Sequence, residues 1–311
     1  MRYFDLHCDT LSRCAETGAS LLAPEGQLSL SAGQDFSAWA QCFAAFIPDT
    51  LRGEEAFRYF EKLSDVLIRE VAQHPEKIKL CRTGEDIKKA EEQGVCAAIL
   101  TVEGGAALGG ALTHVDDLLN RGVRLFTLTW NGKNELGGGI LDEQNTGLTE
   151  FGRQAVSKLT QGGCVMDVSH ASEALFWDLC TFSDQPFVAS HSNSRTVCGA
   201  VRNLTDDQFD EIVRRRGLVG LNFCRDFLRD PGDKARMTDI LRHADYFLSR
   251  GGEHTLCMGS DFDGCQIPPD LHGVEGIPLL MERFQKELGL SDNQLDALFY
   301  RNAYTFFQRF S

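Results

Sequence analysis

The 311-residue sequence predicts an α/β protein, a (β/α)₈ barrel of TIM type in a single domain covering residues 1–311. Two patterns carry that expectation. Eight short apolar runs are separated by amphipathic stretches along the whole chain. Most of the runs also lack the polar alternation of a half-exposed strand, which marks strands buried on both faces. No linker, repeat or low-complexity tract breaks the pattern. The runner-up is a doubly wound open sheet, which neither a G-x-G-x-x-G nor a Walker loop supports.

The first strand, YFDL (3–6), leads into "FDLHCDTL", where His7 and Asp9 stand two residues apart. Side chains alternate in an extended chain, so these two ligand types point to one side. The second strand, CFAAFI (42–47), precedes a helical stretch over 54–73, and EKIKLC (76–81) fits the repeat poorly and reads as an extra edge element. A helix over 84–93 leads to the third strand, CAAILT (96–101), which ends at Glu103 in "ILTVEGG". After a helix over 111–121 the fourth, RLFTLT (124–129), runs into "WNGKNELGGG", and a helix over 150–161 precedes the fifth, CVMDVS (164–169), which ends beside His170. A helix over 172–180 leads to PFVAS (186–190) and His191. Next comes a helix over 205–216, where Thr205 and Gln208 fit a capping box and Phe209, Ile212 and Val213 share one face. GLVGLNF (217–223), a helix over 234–251 and TLCMGS (255–260) complete the series, the last strand running into "DFDG" with Asp261 and Asp263. Ser291 and Gln294 fit a second capping box.

A formal net charge of −14 and a pI near 5.0 argue against nucleic-acid and anionic-membrane partners, since phosphate binding needs a basic surface. The eleven cysteines are odd in number and lie no closer than six positions apart, so no C-x-x-C zinc or redox motif is present. Cys42, Cys96, Cys164, Cys224 and Cys257 fall in apolar runs, where a free thiol behaves as a small hydrophobe. With no leader and no apolar stretch of membrane-spanning length, the expected location is the cytoplasm. Monomer and homodimer are both open on these observations.

In a barrel, strand ends open on one face, so residues distant in sequence meet in one pocket. His7, Asp9, Glu103, His170 and His191 then give three imidazoles and two carboxylates around one centre, enough for two borderline metal ions sharing a carboxylate. Each residue alone is equally a cap, a turn former or a satisfied polar group; the recurrence at strand ends favours the metal. His74, His114, His243, His254 and His272 lack this placement and read as ordinary polar residues. Arg202, in "SHSNSRTVCGAVRNL", is placed either to clamp a substrate carboxylate bidentately or to form a surface ion pair.

The ordered set "DLHCDTL", "VEGG", "GVRLFTLTWN", "GLTEFGRQAVSKLTQGGCVMDVSHAS", "PFVASHSNSRTVCGAVRNLTDDQF", "GLVGLNF" and "GSDFDG" resembles the membrane (renal) dipeptidase family, zinc peptidases of the amidohydrolase superfamily. The resemblance implies a barrel with two zinc ions that cleaves dipeptides. By it, His7 and Asp9 match the ligands of the first zinc, Glu103 the bridging carboxylate, and His170 and His191 the ligands of the second. Arg202 matches the holder of the substrate's terminal carboxylate, and Asp261 the general acid/base. One position departs from the better-known animal members, which carry a histidine where this chain has Trp130; an indole N–H donates one hydrogen bond but takes no positive charge.

On that reading two zinc ions acidify a bridging water to hydroxide and polarise the amide carbonyl, while Asp261 carries the proton to the leaving amine. Asp261 as a further metal ligand is the competing assignment, and Asp263 reads as a loop cap. Two alternatives remain: another metal hydrolase of the superfamily acting on an amide or lactone, and a non-catalytic ligand-binding barrel. The first would usually show H-x-H in place of "HCD" and a modified lysine where Glu103 stands. Whether a D-residue is accepted at the C-terminal position is open.

Overall fold

In the computed structural model, which describes residues 1–33 and 35–309, every strand of the sheet runs parallel to its neighbours. The strands are β1 (Arg2–Asp5), β2 (Ala38–Phe46), β3 (Ile78–Leu80), β4 (Cys96–Glu103) and β5 (Val123–Thr127). They continue with β6 (Val165–Asp167), β7 (Val188–Ala189), β8 (Leu218–Leu221) and β9 (Leu256–Met258). Their order is β2-β1-β9-β8-β7-β6-β5-β4-β3, and β2 also pairs with β4 from Ala40↔Ala97 to Phe46↔Glu103. That last pairing closes eight strands into a barrel. The ninth, β3, lies outside the ring on the edge of β4 that β5 takes over further along, pairing Ile78↔Cys96 to Leu80↔Ala98. It is the segment that fits the sequence repeat poorly.

One apolar cluster draws on every barrel strand, including Phe4, Ala40, Cys42, Ala97, Ile99, Leu125, Val165, Val188, Leu218 and Cys257. Tyr300, Ala303, Phe306 and Phe307 of the C-terminal helical segment seal its lower end. A second cluster fills the layer between the strands and the surrounding helices. Plugged below and ringed by helices, the barrel turns its upper, C-terminal rim to polar chemistry.

Helices stand where periodicity puts them, among them Gly53–Gln73, Glu150–Gln161 and Met237–Ser249. Both expected capping boxes form, Thr205 with Gln208 and Ser291 with Gln294. Among the described residues, the helices Thr10–Thr17, Arg225–Leu228, Ile277–Leu288 and Asn302–Phe307 lie outside the expected set. Several strands are shorter than their apolar runs: β6 stops at Asp167 and β7 at Ala189. Past those points the backbone leaves the ladder, because its groups bond to the side chains that aim the rim residues.

Candidate metal centre

Seven buried ionisable residues gather on the rim: His7, Asp9, Glu103, His170, His191, Arg202 and Asp261. The Glu103 carboxylate, at the end of β4, lies in the middle. Its Oε2 is 3.4 Å from His7 Nε2, which is itself 3.4 Å from Asp9 Oδ2 and 3.9 Å from Asp261 Oδ1. Its Oε1 is 2.9 Å from His170 Nε2 and 3.6 Å from His191 Nε2. His7 and His191 stack with ring centroids 3.8 Å apart, which joins the two halves.

The donor set fits a pair of ions. Spacings of 3.4 Å are long for hydrogen bonds but match the edge of a coordination tetrahedron, about 3.4 Å for metal–ligand distances near 2.1 Å. His170 Nδ1 donates to Asn131 Oδ1 at 2.9 Å. Nδ1 of His191 donates to Ser190 Oγ at 2.7 Å, because that hydroxyl's own proton goes to Asp167 Oδ2 at 2.5 Å. Both Nε2 atoms are therefore lone-pair acceptors, and they face each other at 3.0 Å, an arrangement that calls for a cation. Asp9 Oδ1 is buried without a hydrogen-bond partner. Among the described residues, the groups able to hold a metal are His7/Asp9/Glu103, Glu103/His170/His191 and His7/His191/Asp261, and none includes the other five histidines.

Two matching struts aim these ligands. Asp5, at the end of β1, accepts from Ser260 N at 2.8 Å, Ser260 Oγ at 2.6 Å, Tyr3 Oη at 3.1 Å and His7 N at 3.3 Å. Asp167, at the end of β6, accepts from Ser169 N and Ser190 N at 2.9 Å, Ser190 Oγ at 2.5 Å and Thr127 Oγ1 at 2.6 Å. Each aspartate thereby fixes its own strand end to a Ser that precedes a rim residue, Asp261 or His191. The rim needs such support, since His170 and Asp261 both adopt left-handed backbone, with φ of 66° and 63°. That conformation costs of order 1–3 kcal/mol per residue and persists because the surrounding contacts over-determine it.

Close packing sets the spacing of the acids. A Cβ on Gly264 would lie 2.1 Å from Asp9 Oδ2 and 2.6 Å from Asp261 Oδ1, so only glycine fits there. Asp263 ties this loop to the first strand's loop by accepting from Thr10 Oγ1 and Gln27 N, both at 2.7 Å.

Charge is unevenly shared. Burial, with Asp9 alongside, pushes the Glu103 carboxyl up to about 7, and burial pushes Asp261 up to about 6. Burial pulls on the His7 imidazolium, but Glu103 and Asp9 overcome it and hold its pKa well above the ordinary value. Burial takes His170 and His191 well below theirs. Arg202 is buried too; Nη1 donates to Ser192 Oγ at 2.9 Å and Nη2 to the His191 carbonyl at 3.0 Å, while Nε has no partner. No carboxylate forms an ion pair with it among the described residues; burial lowers its pKa, and the charges of Asp261, Glu103 and Asp167 offset that only in part. Trp130 is half-buried, edge-on to Phe46 at 4.9 Å and 6.4 Å from the His170 ring.

The structure brings all eight residues singled out from the sequence to one rim. It adds Asp5, Asp167, Ser190, Asn131, Asn222 and Gly264, which sequence reading passed over. A signal for the struts exists, because "FDLH" and "MDVSH" each set an aspartate just before the histidine, and "SD" and "SH" each set a serine before a rim residue.

The family model "Membrane dipeptidase (Peptidase family M19)" matches residues 1–309. A Klebsiella pneumoniae protein, described as uncharacterised and from the pqqA 5′ region, is 33% identical over 246 residues, 76% of this chain and 90% of its own. The crystal structure of a metallo-peptidase from Rhodobacter sphaeroides, liganded with a phosphinate mimic of the dipeptide L-Ala-D-Ala, is 28% identical with a TM-score of 0.92, covering 100% of this chain and 99% of that one. Dipeptidase AC, of peptidase family M19, is 30% identical with a TM-score of 0.93 over 100% and 98% of the two chains. On this rim and these likenesses, the chain belongs to the membrane dipeptidase family, peptidase family M19, and is a peptide-bond hydrolase of the metallo-dipeptidase type.

Proposed function

We propose that the protein hydrolyses dipeptides, including those with a D-residue at the C-terminal position, at a centre of two zinc ions. The observation that carries the reading is Glu103, whose two carboxylate oxygens face different donor groups, His7 at 3.4 Å and His170 at 2.9 Å. His7, Asp9 and Glu103 would hold one ion, and Glu103, His170 and His191 the other, a nitrogen and oxygen set suited to zinc. When bound, the pair supplies an acidified water as nucleophile and a Lewis acid for the scissile carbonyl.

The chain's own residues do the rest. Arg202, with a buried Nε donor that has no partner and no carboxylate in direct ion pair with it, pairs with the substrate's terminal carboxylate. Asp261, its carboxyl raised to about 6, takes a proton at the rim and returns it to the leaving amine. Trp130 and Phe46 wall the opening with aromatic edges, which favours a flat or apolar side chain. Acceptance of a D-residue rests on the dipeptide mimic bound by the Rhodobacter relative. Among the described residues no helix is long and apolar enough to cross a membrane, and the eleven thiols are free, which supports the cytoplasm as its location.

Purified from zinc-supplemented medium, the protein should carry about two zinc ions per chain and cleave members of a panel of L-L, L-D and D-D dipeptides. Elemental analysis below half a metal per chain, or an inactive panel with zinc present, would refute the proposal.

The pH dependence follows from the raised carboxyls. In the metal-free fold, Glu103 near 7 and Asp261 near 6 bind protons more tightly than in the unfolded chain. Their contribution to stability is present below about pH 4 and is lost as pH rises through 6 to 7. Zinc needs the same carboxylates ionised, so its stabilisation runs the other way. The rise in Tm on adding zinc to chelator-treated protein should be larger at pH 7.5 than at pH 5; an equal or smaller rise would contradict it.

A further inference from the structure

We propose that Asn222 is a positioning residue that holds the proton-carrying Asp261 in register with the independently anchored, substrate-binding Arg202; the inference rests on the roles just given to those two residues. Asn222 follows β8, is completely buried and uses all its polar atoms. Its Nδ2 donates to Asp261 Oδ2 at 3.0 Å and to the His191 carbonyl at 3.3 Å. Its Oδ1 accepts from Cys224 N at 2.6 Å. Its backbone is locked by Asn193, which accepts from Asn222 N at 3.1 Å and donates to Asn222 O at 2.8 Å.

The His191 carbonyl is the hinge of the arrangement, because it also accepts from Arg202 Nη2 at 3.0 Å. One amide and one carbonyl thus connect the guanidinium to the carboxylate. Asp261 needs this restraint, since its left-handed backbone at φ 63° leaves the direction of the carboxylate to side-chain contacts. By taking Oδ2, Asn222 turns Oδ1 toward His7, 3.9 Å away. Only a donor at this position serves, because an apolar or acceptor group would release the carboxylate. A reacting group misplaced by about 1 Å loses roughly 10²-fold in rate. Arg202 keeps its bonds to Ser192 and to His191 whatever stands at 222, so binding of the substrate carboxylate survives.

The test uses zinc-loaded Asn222→Ala and Asn222→Ser beside wild type, with L-Ala-D-Ala and L-Ala-L-Ala as substrates and zinc content and Tm measured on the same samples. The expected result for Asn222→Ala is a kcat lowered about 10- to 100-fold, a KM within about threefold of wild type and unchanged zinc content. Asn222→Ser, which keeps a donor, should recover part of the kcat. A kcat within twofold of wild type in both variants would overturn the proposal. So would a loss of kcat that tracks loss of zinc, a change confined to KM, or failure of both variants to fold, each of which assigns Asn222 a merely structural part. A wild type inactive on both substrates with zinc bound would bring down the dipeptidase reading along with this one, whereas an active wild type matched by active variants brings down this one alone.

Discussion

Glu103→Gln should abolish turnover while leaving the barrel folded. The amide keeps the shape of the side chain but replaces one carboxylate oxygen with an NH₂ group that cannot bind a metal. On the proposed reading Glu103 bridges both halves, so its loss should reduce zinc from the proposed two ions per chain to one or fewer and lower kcat by on the order of 10⁴-fold, equivalent to about 5–6 kcal/mol of transition-state stabilisation. Stability should move oppositely. Burial holds the Glu103 carboxyl near 7, so ionising it at neutral pH opposes folding of the metal-free chain. The metal-free variant should therefore melt no lower than metal-free wild type at pH 7.5. A variant retaining two zinc ions and more than a tenth of wild-type kcat would exclude Glu103 as the shared ligand.

Arg202→Ala should separate substrates by their C-terminus. A charge-assisted pair in a buried pocket contributes about 2–3 kcal/mol, so kcat/KM on free dipeptides should fall roughly 10²-fold or more. Dipeptide amides, which lack the carboxylate, should be hydrolysed about as well by the variant as by wild type. The alternative is that Arg202 merely braces the loop through Ser192 Oγ and the His191 carbonyl. In that case both substrate classes lose equally, and such a result would rule out the clamp.

The barrel was legible because each of its strands is a short apolar run, and the rim because its residues belong to the few types that coordinate metals or bind carboxylates. His7, His170 and His191 each follow such a run directly, and Glu103 follows one residue later. Their supports were not legible, because a support is defined by a partner that sequence spacing does not reveal. Asp5 meets Ser260 across 255 positions and Asn222 meets Asp261 across 39. Read alone, Asp5 is one polar residue in a strand and Asn222 one polar residue after "GLVGL". Gly264 is hidden for another reason: glycine in "DFDGC" suggests a flexible turn, whereas its function is the space it leaves for Asp9 and Asp261. Strand ends were overestimated at β6 and β7, since apolar character continues past the point where the backbone turns from neighbouring strands to the aspartate struts.

Those struts also bear on how the enzyme matures. In small zinc domains the ligands converge only when the ion arrives, so folding and metal uptake are a single event. Here the direction of His191 comes from Asp167 through Ser190, and that of the His7 strand end from Asp5 through Ser260, all within a closed barrel with its own apolar interior. Loading is then expected as a separate, later step on a finished protein, so that chelator-treated protein should keep its folded far-UV signature and take up metal again without unfolding. On that expectation, the metal a molecule carries would record the supply it met after folding rather than the conditions of its synthesis.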